Sequence, residues 1–227
     1  MRVQNNAPGL LSSTVTLAAA QMKVLSSTPA PLVLGAGAGR IVVVESVALV
    51  ANVLTRPFQS STTDQLNLFY ALDLATGLTP AIFDFFSLNA SSIVYLSGAI
   101  QNSAVLQSSA VNQAIVLKSA ADYTAGAIAT ATIAAAGTGY AVGDTGSITP
   151  SFKGATYIIT SVGALGAVTG FTITSGGDQY DIANGVATAT GGAQPGVGTG
   201  LTVNITAITA GDGTLKVVTY YQIVPVP

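Results

Sequence analysis

The sequence contains no cysteine and no histidine. Without histidine the Ser-His-Asp and Cys-His arrangements, every imidazole general base and the usual zinc sites are excluded. Without cysteine there is neither a disulfide framework nor a thiolate, and redox compartment leaves no trace. Charge is also scarce. Seven bases and nine acids make up 7% of the 227 residues, against about 25% in ordinary soluble domains. Arg2, Lys23, Arg40, Arg56, Lys118, Lys153 and Lys216 stand singly, so the clustered positive charge that nucleic acid requires is missing. Glu45 is the sole glutamate, expected to pair with a neighbour or lie at a subunit contact, because a buried unpaired carboxylate is costly. The longest apolar run, Ile41 to Leu54, spans 14 residues and includes Glu45 and Asn52, whereas a membrane helix needs about 20. Met1 to Gly9 lacks the apolar core of a secretory signal and reads as a polar arm, drawn to residue 12.

What remains is 49% hydrophobic, the opposite of a disordered chain. A surface with so little charge must be covered by Ser, Thr, Asn, Gln and Gly, or by other subunits, which fits a folded component of an assembly. Short β-branched segments separated by polar turns predict strands at Leu10–Leu17, Pro31–Leu34, Ile41–Leu54, Gln65–Leu72, Ser91–Leu96, Ala114–Leu117 and Thr214–Val224. Ala18 to Leu25 is the best helical candidate, with Thr16 as its cap. Gly35-Ala36-Gly37-Ala38-Gly39-Arg40 has phosphate-loop composition but runs into β-branched residues instead of a helix, so it predicts a strand connection. Ile82-Phe83-Asp84-Phe85-Phe86 reads as a core or interface anchor. The fold class is all-β, with a β-sandwich or jelly-roll-like body.

Thr124-Ala125-Gly126 and Thr209-Ala210-Gly211 are identical tripeptides, and 19 of the 25 glycines lie from Gly126 to Gly213. The flanks rejoin into a plausible turn between two strands. The reading is a discontinuous body, residues 13–126 plus 209–227, interrupted by an inserted glycine-rich β module at 127–208. Within the module Thr132–Asp144 matches Thr172–Asn184 at an offset of 40 residues, and Gly154–Val162 matches Gly200–Ile208 at 46. Two copies of a strand-turn-strand unit follow from that. Each copy carries a tyrosine after its glycines, and the second adds acids. Tyr140 and Tyr180 could stack on a sugar ring, and Asp178, Asp181 and Asn184 could offer oxygen ligands. The other reading of the same residues, and the stronger, is that Asp and Asn close turns while tyrosine fills the small core beside them. The first copy has Thr138 and Ala141 where the second has Asp178 and Asp181, which speaks against the carboxylate pair of a glycosidase. No catalytic, cofactor or metal residue is assigned, and an enzyme is not expected.

Gly137–Asp144, Gly166–Ile173 and Gly198–Val203 resemble the glycine-rich β modules of tailed-bacteriophage structural proteins, including head and tail fibres. Thr14–Leu25 leading to Pro31–Arg40, with Gly211–Tyr221 closing it, is similar to small virion proteins of tailed phages. The resemblance implies a capsid decoration or cement protein on the outer surface of the capsid, a trimer contacting the major capsid protein, with the module projecting outward. It leaves open a fibre component whose module binds a host-surface glycan. Neither nucleic acid nor a membrane is an expected partner.

Overall fold

The computed structural model describes residues 9–59, 66–72, 74, 92–97, 110–150, 153–190 and 198–226. The chain opens with strand β1 (Leu11–Ala18), a single helical turn α1 (Ala19–Met22), β2 (Ala30–Val33), the long β3 (Arg40–Val53), β4 (Leu66–Tyr70), β5 (Ser92–Ser97) and β6 (Ile115–Ser119). Then come β7 (Gly126–Thr138), β8 (Thr145–Ile148), β9 (Ala155–Val162), β10 (Val168–Gly176), β11 (Ala183–Thr190) and β12 (Thr199–Ala210), and finally β13 (Gly213–Pro225). The described residues fall into two compact units, one within Met1–Phe58, Thr62–Tyr123 and Asp212–Pro227, the other within Gln59–Ser61 and Thr124–Gly211.

The first unit, the body, is an all-β sandwich. A four-stranded sheet in the order β1-β13-β3-β5 and a three-stranded sheet in the order β2-β6-β4 are both antiparallel. Period-2 alternation explains which side chains meet between them. Leu17, Leu215 and Val217, with Val42, Val44, Val47, Leu49 and Ala51, come from one sheet; Leu32, Val33, Leu66, Leu68, Tyr70, Ile115 and Leu117 come from the other. Burying each of the valine, leucine and isoleucine side chains among them contributes about 1.5–3 kcal/mol. Tyr70 adds a buried hydrogen bond, its hydroxyl donating to Val42 O at 2.7 Å, and burial raises its phenol above the ordinary value.

Several expectations need correction. The predicted helix from Ala18 to Leu25 is one turn, Ala19–Met22, because the β1–β13 ladder carries Thr16 and Ala18 in strand geometry against Lys216 and Thr214, while Val24 and Leu25 bond back three residues, to Gln21 O and Met22 O, instead of continuing the helix. Thr16 is therefore no cap; the side chain of Gln21 accepts the Ala18 N–H instead, at 3.0 Å. The arm drawn to residue 12 ends sooner, since Leu11 and Ser12 already pair with Tyr221 and Tyr220. The rejoined flanks are not a turn between paired strands: β6 and β13 belong to different sheets. Both tripeptides lie inside the second unit, where Gly126 pairs with Ala210 and Ala125 bridges to Gln59. Ile82–Phe86 lies outside the described residues.

The second unit, the module, is a six-stranded antiparallel sheet in the order β10-β9-β8-β11-β12-β7. It curls until its edge strands meet, and Gly126 and Tyr180 exchange both backbone hydrogen bonds at 2.9 and 2.8 Å. Inside lie Ile148, Tyr157, Ile159, Val168, Leu201, Val203 and Ile205, with Phe171 edge-on to Tyr157 at 6.2 Å. At an offset of 40, β7 corresponds to β10 and β8 to β11; at 46, β9 corresponds to β12. The strand order is therefore a palindrome. Ile148 pairs with Thr188, its own counterpart in the other copy, so a local two-fold axis runs between β8 and β11.

Candidate functional site

The turns that follow β7 and β10 hold the residues singled out in the sequence. Each turn begins at a glycine with φ of +60°, Gly137 or Gly177. A side chain at either has to displace backbone. A Cβ at Gly177 would meet Ala155 N at 2.5 Å, and one at Gly137 would meet Leu201 N at 2.7 Å, both backbone atoms that cannot yield. The chain then drops a tyrosine into the interior.

Tyr140 and Tyr180 are 5% and 2% exposed. Tyr140 N–H donates to Gly166 O at 3.0 Å, and Tyr180 N–H donates to Gly126 O at 2.8 Å, so each tyrosine is held by the glycine that opens the opposite copy. Their hydroxyls differ. Tyr180 Oη donates to Ile148 O at 2.8 Å and lies 3.3 Å from Pro150 O, whereas Tyr140 Oη accepts the Leu201 N–H at 3.4 Å. Lys153 Nζ sits 5.3 Å from the centre of the Tyr180 ring and donates to Gln179 O at 2.6 Å. Burial raises the phenols of Tyr180 and Tyr157 above their ordinary value. Rings so enclosed do not present the open face on which a sugar stacks.

The acids differ in their surroundings. Asp178 is exposed, with its N–H donating to Lys153 O at 2.8 Å, and Asp181 is half-buried. Asp144, by contrast, is buried and closes its turn: Oδ2 accepts the Ala141 N–H at 2.9 Å, the side-chain to backbone bond anticipated for Asp in such turns. Its counterpart Asn184 is exposed. Among the described residues no group of three or more His, Cys, Asp and Glu side chains could hold a metal ion, and no helix is long and apolar enough to cross a membrane.

Elsewhere, Gly35–Arg40 connects β2 to β3, and the Gly37 N–H donates to Asn112 Oδ1 at 2.8 Å, leaving no helix N-terminus for a phosphate. Glu45 is exposed on β3. Two features, the roles of Gln59 and Lys153, carried no signal in the sequence. Gln59 is buried, and its Oε1 accepts the Gln179 N–H at 2.9 Å across 120 positions of chain. Lys153 is recruited to the Tyr180 turn from outside the matched stretches. Val142 and Ile182, equivalent at an offset of 40, are 64% and 65% exposed.

A second surface belongs to the body. On the outer side of its four-stranded sheet the cross-strand register sets Thr16, Lys216, Val50 and Ile93 in one row, Thr14, Val218 and Ala48 in the next, and Ser12, Tyr220 and Ser46 in a third. Lys216 is the one charge among these positions, and Ile93 is 69% exposed. Apart from Lys216, these positions hold threonine, serine, a tyrosine and aliphatic groups.

Comparison of the chain with protein-family models, with curated sequences and with solved structures gives no match.

Proposed function

We propose that this chain is a non-enzymatic structural protein of a tailed-phage virion that binds the outer surface of the capsid as a decoration or cement protein. The reading starts from the resemblance of its glycine-rich stretches and β-strand body to virion proteins. One structural observation supports it most: the charge-poor outer face of the four-stranded sheet, where Ser12, Thr14, Thr16, Ser46, Val50, Ile93, Val218 and Tyr220 surround the single Lys216. Depletion of charge is what distinguishes the centre of a protein interface from ordinary surface. In this reading the face packs against the major capsid protein or a second copy, in a trimer that bridges capsid subunits. Each bridging copy adds contact free energy absent from the disassembled state, so shell stability rises with occupancy.

Quantifying the chain in purified virions tests this directly. Hundreds of copies per particle, bound to the head and lost together with particle stability, are expected. A handful of copies in the tail fraction would replace decoration with the fibre reading, in which the module meets a host-surface glycan. Absence from virions would remove both.

A further inference from the structure

The duplication leaves one position chemically exposed. Where the first copy has Asp144, buried and bonded to its turn, the second has Asn184, exposed and followed by Gly185, also exposed. This is the sole Asn-Gly pair in the chain. The β11–β12 register is irregular between Ala183 and Val186, so the pair sits at a break in the regular pairing of the two strands. Gly185 has φ of +64°, and nothing lies within 4 Å of where its Cβ would be. The Asn184 side chain has no hydrogen bond among the described residues, while the Gly185 N–H donates to Asn204 Oδ1 at 2.9 Å.

We infer that Asn184–Gly185 is a site of spontaneous deamidation, restrained by Asn204. Gly185 N loses its proton and attacks Asn184 Cγ; the new C–N bond forms as the side-chain nitrogen leaves as ammonia, closing a succinimide. Water then opens the ring. Attack at Cγ gives aspartate, and attack at the backbone carbonyl gives isoaspartate, the net change being one water consumed and one ammonia released. Glycine at the attacking position leaves the approach uncrowded. The opposing factor is the proton itself, because the nitrogen must give it up and Asn204 holds it in a hydrogen bond. The aspartate product restores at position 184 the residue type that closes the corresponding turn of the first copy. The isoaspartate product lengthens the backbone inside β11. The inference is independent of any role in a virion.

The full chain is incubated at mildly alkaline pH, and residue 184 is followed by peptide mapping for deamidated mass and for isoaspartate, in the wild type, Asn204→Ala and Asn204→Asp. Loss of the acceptor in Asn204→Ala is expected to speed deamidation about fivefold, the factor equivalent to a hydrogen bond of about 1 kcal/mol. Asn204→Asp, which keeps an acceptor oxygen, should remain as slow as the wild type. A synthetic peptide spanning the pair should react faster than the folded wild type. Equal rates in all three proteins, acceleration in Asn204→Asp as well, or a wild type as fast as the peptide would each overturn the proposal.

Discussion

Replacing Gly177 by alanine separates two costs that glycine hides. The first is conformational: an L-residue in the left-handed region is strained by about 1–2 kcal/mol, offset by about 0.4–1 kcal/mol from the narrower unfolded ensemble. Gly185→Ala carries this cost alone, since φ there is +64° and nothing lies within 4 Å of the new Cβ; the net loss is about 1 kcal/mol. Gly177→Ala has the same conformational cost at φ of +60°, and its Cβ also meets Ala155 N at 2.5 Å, where ordinary contact begins at 3.4 Å. Forcing a methyl into such a space adds about 1–3 kcal/mol, for a total of about 2–4 kcal/mol. Gly137→Ala, its counterpart across the local two-fold and facing Leu201 N at 2.7 Å, should match it. Because the chain has two units, a single melting transition is a poor readout, and native-state hydrogen exchange of β9 and β12 amides is the assay. Protection should fall about 30-fold or more in Gly177→Ala and Gly137→Ala, and about tenfold or less in Gly185→Ala. Equal losses in Gly177→Ala and Gly185→Ala would refute the steric reasoning.

Asp212 should set part of the acid stability of the body. Its Oδ1 accepts the Thr55 and Arg56 N–H groups, both at 2.8 Å, and its Oδ2 accepts the Thr55 hydroxyl at 2.6 Å. These bonds favour the charged form and lower the carboxyl from 3.8 to about 2. The stabilisation is therefore complete above the ordinary value and disappears as pH falls toward about 2. Body stability in Asp212→Asn should lie below the wild type near neutrality and converge with it at the acid end; a gap independent of pH would contradict this. Tyr180→Phe removes a buried donor at 2.8 Å from Ile148 O and should cost the module about 1 kcal/mol. Tyr140→Phe breaks only a 3.4 Å bond and should cost less, both read by native-state hydrogen exchange of the module, so equal losses would show that the hydroxyl geometry is irrelevant.

Much of the fold was legible in particular residues. Ile41–Leu54 reads as a strand on composition alone, and β3 occupies Arg40–Val53, because a β-branched run too short to span a membrane has few other uses. Leu66, Leu68 and Tyr70 alternate into the core as their spacing implies. The helix expected over Ala18–Leu25 shrinks to one turn because helix propensity is worth only tenths of a kcal/mol per residue: Ala18 is taken by the β1–β13 ladder, and Val24 and Leu25 bond back only three residues, to Gln21 O and Met22 O. The stacking role of Tyr140 and Tyr180 was legible only as one of two readings; which one holds depends on whether the strands curl over the rings.

The sequence by itself determined the all-β class and the excluded chemistries, since these depend on residue types and a period of two, and both are local. Tertiary structure alone decided which glycine opposes which backbone, that Tyr140 and Tyr180 are interior, that Gln59 joins the module, and that Gly185 donates to Asn204. Those facts arise from pairings between strands distant along the chain. A registry set by closure of the whole sheet leaves no mark within any one stretch of sequence.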